Sequence, residues 1–173
     1  ILTNVENNQR VAIMAIIAND LNQIGLDVSY APINFNKLVS LLNPKPPAPY
    51  DWDAIVLGFT GSPEPYAGRN IWQSSGILHQ WSPYQKKPAT PWEAEIDDIF
   101  RKSGQTLDEA KRKELFNQWQ EIAASELPLI YTVVPDGLVA LRDGFGNIKP
   151  CSLGGVTWNQ YEIYSLQATR NQP

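Results

Sequence analysis

Few side chains in this 173-residue sequence are of types that do covalent chemistry. There is one histidine, His79, and one cysteine, Cys151. A Ser-His-Asp relay would have to use His79, and no G-x-S-x-G elbow accompanies it, because Gly61-Ser62-Pro63 lacks the second glycine. A lone histidine in an aromatic-rich stretch reads first as a hydrogen-bonding or packing residue. One cysteine excludes an intramolecular disulfide and a Cys-cluster metal centre, and one histidine excludes an H-E-x-x-H site. No G-x-x-x-x-G-K-[ST] or G-x-G-x-x-G loop is present to cradle phosphates, and the sequence carries no cofactor motif. The carboxylates leave one catalytic option: Glu64 acting with Asp51 or Asp53, which flank Trp52, as a carboxylate-dependent hydrolase. That chemistry needs two carboxyl groups facing one cleft about 5 to 10 Å apart. Glu93, Glu95, Asp97 and Asp98 fit a simpler role, complementing a helix dipole near its amino end.

What remains is recognition. Fourteen Lys and Arg against eighteen Asp and Glu give a net charge of -4, which disfavours a general nucleic-acid binder. No apolar run approaches the roughly 20 residues that span a bilayer. Six Trp and seven Tyr are many for the length. Aromatic side chains bury much area at little entropic cost, so they serve binding surfaces as well as cores. An interaction module that uses an aromatic patch is therefore a second option.

The elements that would position these residues follow from periodicity. Ile1 to Thr3 reads as a strand running straight into a turn without an initiator Met, and the chain is expected to begin inside a larger protein. Met14, Ile17, Ala18, Leu21 and Ile24 follow helical spacing, with Gly25 at the C-cap. Leu26 to Ile33 alternates as a strand, and Asn34 caps a second helix holding Phe35, Leu38, Val39 and Leu42. The Pro-rich Asn43 to Tyr50 stretch is a surface loop. Trp52 to Gly58 is a strand buried on both faces. A β-α-β-α-β order predicts an open α/β sheet whose ligands sit beyond the carboxyl ends of the strands. The third strand ends in Phe59-Thr60-Gly61-Ser62-Pro63-Glu64.

An irregular, aromatic-rich excursion follows from Tyr66 to Ala89, of the kind that is usually functional. Its Trp72, His79 and Trp81 are placed either on a pocket wall or in the packing of the domain. Thr90-Pro91-Trp92-Glu93 and Thr106-Leu107-Asp108-Glu109 each read as a capping box opening a helix. Leu129 to Val134, Leu138 to Leu141 and Thr157 to Tyr164 read as strands. Residues 1–165 form one α/β unit, and residues 166–173 a polar tail.

Four phrases carry a resemblance: Ile16 to Val28 (IIANDLNQIGLDV), Tyr50 to Gly61 (YDWDAIVLGFTG), Asn70 to Trp81 (NIWQSSGILHQW), and Ala89 to Asp97 (ATPWEAEID), followed by a helix and Leu127-Pro128-Leu129-Ile130-Tyr131. In this order they resemble the C-terminal lobe of family 5 extracytoplasmic solute-binding proteins, the peptide-type receptors of ABC importers. The resemblance implies a type II periplasmic-binding fold, an open, mostly parallel or mixed sheet flanked by helices. It implies a missing N-terminal lobe, a peptide or similar small solute as ligand, and an ABC permease as membrane partner. The implied location is periplasmic or otherwise extracytoplasmic, including lipid anchoring through the missing N-terminus. Phe59 stands where many peptide-binding members carry a Trp. Ser62 stands near the place of the Asp that pairs with a peptide's amino terminus. The expected ligand contacts are Phe59 for apolar stacking, Thr60, Gly61 and Ser62 for hydrogen bonds and Glu64 for an ion pair, with Trp72, His79 and Trp81 as further wall.

Overall fold

The computed structural model describes residues 1–42, 50–83, 85–152 and 154–166. The expected loop over 43–49, Tyr84 and the tail from residue 167 lie outside the described residues. Among the described residues, five helices and four short strands are arranged as a mixed α/β chain.

Strand β1 (Leu2–Asn4) is the organising element. Strand β2 (Ala31–Ile33) pairs parallel to it, with Leu2 opposite Ala31 and Asn4 opposite Ile33. On the other edge, Leu2 forms a parallel bridge to Ile55: the Leu2 amide donates to the Ala54 carbonyl at 2.9 Å, and the Val56 amide donates to the Leu2 carbonyl at 2.9 Å. The buried Thr3 hydroxyl adds a bond to the Val56 carbonyl at 2.7 Å. The spatial order is therefore β2, β1, Ile55, all parallel, as the β-α-β-α-β order predicts.

Helix α1 (Asn8–Gln23) connects β1 to β2. Asn7 caps its start by accepting from the Arg10 amide at 3.0 Å. Gly25 closes it at φ 92. The amides of Gly25 and Leu26 return to the carbonyls of Asn22 and Leu21, the double bond of a Schellman cap. Met14 and Ala18 are its buried face. Helix α2 (Phe35–Leu42) buries Leu38 and Leu42, and both helices pack on β1. Asn34 caps α2 as expected, accepting from the Asn36 amide at 3.0 Å.

The second half is helical. A 3-10 turn (Pro65–Gly68) leads into the short α3 (Arg69–Trp72). Helix α4 (Pro91–Ser103) has the full capping box of Thr90 and Glu93. It packs against α5 (Glu109–Glu126). Between α3, α4 and α5 lies a core of Trp72, Ile96, Phe100, Phe116 and Ala123, walled by Trp81, Trp92 and Trp119. Its rings meet edge to face: Trp72 and Trp119 at 5.0 Å, Phe100 and Phe116 at 5.7 Å. Most of the tryptophan surplus is here, as core.

Several expectations are corrected. The strand predicted over 26–33 shortens to Ala31–Ile33, because the Asn22 side chain bonds both the amide and the carbonyl of Val28 and clips the preceding chain onto the end of α1. The strand predicted over 52–58 is a bridge at Ile55, where Ile55, Val56 and Leu57 are half-buried and Ala54 and Gly58 exposed. The α5 cap is Asp108, which accepts from the Lys111 amide, while Thr106 bonds back to the Lys102 carbonyl. Leu129 to Val134 and Leu138 to Leu141 form no strands; Val134 and Leu138 are 93% and 95% exposed. An apolar, β-branched run does not make a strand without an edge to pair with. The predicted last strand becomes a 3-10 turn (Gln160–Glu162) and β4 (Tyr164–Ser165), antiparallel to β3 (Phe145–Gly146). The expected open sheet is thus three short parallel segments and a separate two-residue ladder.

The excursion is pinned by one buried carboxylate. Glu93, 2% exposed, accepts from the Ala89 and Thr90 amides at 2.7 and 2.9 Å, from Gln85 at 3.1 Å and from the Trp81 indole at 3.1 Å. His79 Nε2 lies 3.4 Å away, and its Nδ1 is 3.0 Å from the Ile71 carbonyl. Burial pushes the carboxyl up, but the hydrogen bonds outweigh it and hold Glu93 at about 2, against an ordinary 4.5. Because the folded value is the lower one, the stabilisation is present above about 4.5 and is lost as pH falls toward 2; at neutral pH it amounts to roughly 3 kcal/mol. Glu93→Gln is expected to lower the urea unfolding free energy at pH 7 by about 2 to 4 kcal/mol. The gap to the native chain should narrow as pH falls from 4.5 toward 2, while the exposed Glu95→Gln changes little.

Candidate functional site

Beyond the carboxyl ends of the parallel segments the surface opens into a cleft of about 350 Å³. Each segment end contributes to it. After β1, the first turn of α1 brings Arg10; after β2, α2 brings Phe35, Val39 and Leu42; after the Ile55 bridge come Leu57, Gly58 and Phe59. The excursion held by Glu93 adds Leu78 and Gln80. The lining is mostly apolar, with Arg10 and Gln80 as its polar members. That is the composition of a small-ligand site, an apolar wall with few placed polar groups.

Arg10 is half-buried, and its guanidinium is positioned by a relay. Its Nη1 donates to Asn4 Oδ1 at 2.9 Å, and Asn4 Nδ2 donates to Glu6 Oε2 at 3.2 Å. Glu6 Oε1 in turn accepts from the Phe35 amide at 3.1 Å and from Asn34 Nδ2 at 3.0 Å, so one carboxylate also ties down the start of α2. Hydrogen bonds from its own and the Phe35 backbone amides hold the Glu6 carboxyl below the usual range. Among the described residues Arg10 makes no ion pair. Gly58 makes room for it: a methyl group there would come 2.7 Å from Arg10 Nη2.

Gln80 is 8% exposed, and its carboxamide oxygen has no hydrogen-bond partner among the described residues. A buried acceptor left without a donor costs about 1 to 3 kcal/mol.

Of the eight residues expected to touch ligand, only Phe59 lines this cleft. Thr60, Gly61 and Ser62 are exposed beside it, and the Ser62 hydroxyl accepts from the Glu64 amide at 3.2 Å. Glu64 caps the 3-10 turn, accepting from the Tyr66 amide at 3.1 Å, and pairs with Arg112 of α5. The Tyr66 amide first, and then Arg112, hold its carboxyl low. Trp72 and Trp81 belong to the aromatic core and its wall, and His79 is fully buried against Glu93. These three take the packing role rather than the pocket role. Asp51 and Asp53 are exposed on the amino side of the Ile55 bridge, and no carboxylate among the described residues lines the cleft. No group of His, Cys, Asp and Glu that could hold a metal occurs among the described residues, and no helix there is long and apolar enough to cross a membrane.

Sequence reasoning missed Arg10, Phe35, Val39 and Gln80. One signal for Arg10 was present: a cation in the first turn of a helix runs against the helix dipole and asks for a reason. Gln80 left none.

No family model matches the chain, and no solved structure matches it. Two curated relatives do. Over 138 residues, 75% of this chain, it is 28% identical to a "Probable ABC transporter-binding protein" of Deinococcus radiodurans. Over 153 residues, 85% of this chain, it is 24% identical to the "Oligopeptide-binding protein AppA" of Bacillus subtilis. The matched stretches are 23% and 25% of those proteins, so the chain spans about a quarter of the length of the relatives it matches. The chain is thus similar, over most of its length, to two proteins named as binding proteins, one of them as an ABC transporter-binding protein.

Gly58→Ala tests the guanidinium's placement. Because the obstructed atom is the end of a flexible side chain, the variant should fold with a stability change below about 1 kcal/mol. The Arg10 Nε resonance in a nitrogen-15 NMR spectrum should move as the head group is displaced. An unchanged resonance would mean that Gly58 does not set its position.

Proposed function

We propose that this chain is one lobe of an extracytoplasmic solute receptor of an ABC importer, and that the cleft beyond the strand ends is its half of the solute site. The observation that carries this reading is the position of the cleft. It lies beyond the carboxyl ends of the parallel segments, where α/β sheets bind ligands, in a chain similar to an ABC transporter-binding protein over 75% of its length and to an oligopeptide-binding protein over 85%. Peptides or similar small solutes are the ligand class, as the name of the second relative suggests.

In such a receptor no bond is made or broken. A second lobe closes over the solute by a hinge motion, and the solute stabilises the closed state through contacts that the open state lacks. The closed, loaded receptor then delivers its solute to a membrane permease. The exposed apolar segment from Ile130 to Leu141 supports a chain that is covered by further protein, since exposed apolar patches of this kind mark interaction surfaces. The hydrolase alternative draws no support from the cleft, whose lining holds no carboxylate.

Half a site gives half the contacts. Isothermal titration of this chain with short peptides is expected to give dissociation constants weaker than about 10 μM. The polypeptide that carries both lobes should bind its solute at least about 100-fold more tightly. Nanomolar binding by this chain alone would sink the half-site reading.

A further inference from the structure

His79 is fully buried, and both of its ring nitrogens face oxygens that only accept. Nδ1 is 3.0 Å from the Ile71 carbonyl of α3, and Nε2 is 3.4 Å from Glu93 Oε1 of α4. A neutral imidazole has one N–H and one lone pair, so it fills one acceptor and turns its lone pair on the other. Away from water such a mismatch is costly. An imidazolium has an N–H for each oxygen, and the Glu93 carboxylate balances its charge. Room for it exists on that carboxylate. Oε2 is filled by the Ala89 and Thr90 amides and by Gln85, whereas Oε1 accepts from the Trp81 indole alone besides His79, among the described residues. The Trp81 ring also lies 4.0 Å from the imidazole, centroid to centroid, within reach of a cation–π contact.

The charged groups around the ring are few. Helix α4 carries Glu93 and, one turn on, Asp97, whose Oδ1 accepts from the Ser74 amide at 2.7 Å. Helix α3 carries Arg69, whose guanidinium lies 5.1 Å from the centre of the Tyr66 ring. The other rings of this packing, Trp72 and, from α5, Phe116 and Trp119, are uncharged.

The position of His79 in the chain gives its bonds a consequence. Its two neighbours, Leu78 and Gln80, both line the cleft. The Leu78 amide donates to the Asn70 carbonyl at 2.9 Å, and the His79 amide to the Gly76 carbonyl at 3.2 Å. A ring that ties α3 to α4 therefore also sets where this part of the cleft wall stands.

We propose that His79 is a proton-operated latch: with a proton on each ring nitrogen it ties the Ile71 carbonyl to the Glu93 carboxylate and holds the Leu78–Gln80 wall, and on losing one proton to solvent it releases one of the two. The 3.0 Å contact to Ile71 keeps its proton in the neutral ring, so the longer contact to Glu93 is the one that opens. The latch acts on the wall of the cleft whatever occupies it, and so does not rest on the receptor reading.

The test is nitrogen-15 NMR of the whole chain at pH 5 and pH 8, on either side of the range in which imidazoles change charge. Because the sequence has one histidine, the ring signals belong to His79. Both ring nitrogens are expected to carry protons at pH 5, and Nδ1 alone at pH 8. Glu93 stays ionised across this range, its carboxyl being held at about 2. The Leu78, His79 and Gln80 amides should shift along the same titration curve as the ring. At pH 8 the Leu78 and His79 amides should lose at least about threefold in protection from hydrogen exchange, beyond the intrinsic effect of pH, as the loss of one hydrogen bond implies. In His79→Asn the pH-dependent shifts of Leu78 and Gln80 should vanish. A ring with the same protonation at both pH values would overturn the latch. So would a ring that titrates while the Leu78 and Gln80 amides stay in place. Both outcomes are read on the native chain and stand even if the variant does not fold.

Discussion

The buried Glu93 carboxylate is the constraint on which the second half of the molecule depends. A carboxylate taken out of water is costly unless its oxygens are filled with donors. Here they are filled by the two backbone amides that open α4, by the Gln85 amide and by the Trp81 indole, with His79 alongside. The same group therefore starts a helix and gathers the excursion that precedes it. The excursion has little regular structure of its own to hold it. Its chain closes instead through turns such as the one at Gly76, where any side chain would meet the Asn70 carbonyl at 2.1 Å. Anchored this way, it delivers Leu78 and Gln80 to the cleft.

A second carboxylate does the matching work in the first half. Glu6 lies just after β1 and binds the first amide of α2, which begins just after β2. Through Asn4 it also steadies Arg10. The ends of two parallel strands and the starts of two helices are thus joined by one short network. This is why the cleft forms beyond the carboxyl ends of the strands and why its one cation is held at the rim of an apolar wall.

The local grammar of the chain was legible because it depends on neighbours in sequence. The Thr90–Glu93 box, the Gly25 cap and the Asn34 cap each follow from residues within a few positions of one another. The parallel order of the first three segments followed from their helical connections. The strands predicted over 129–134 and 138–141 did not form, because strand formation needs a partner edge that a β-branched, apolar run does not reveal. The cleft was only partly legible for a related reason. Phe59 lines the cleft, as a residue directly after a strand end can be expected to. Arg10 and Gln80, 70 positions apart in sequence, share one lining through the folding of an irregular segment that carries no periodic signal. Aromatic richness pointed the wrong way: Trp72 and Trp81 build the α3–α4–α5 packing and leave the cleft to smaller apolar side chains.

The central proposal is that a small solute occupies this cleft against its apolar wall. Native mass spectrometry of the polypeptide that carries this chain, purified from its own cells, tests it most directly. The expected result is a small solute that the folded polypeptide retains and releases on unfolding, and that is lost when Phe59→Asp places a charge on the wall. A solute whose retention Phe59→Asp leaves unchanged would contradict it.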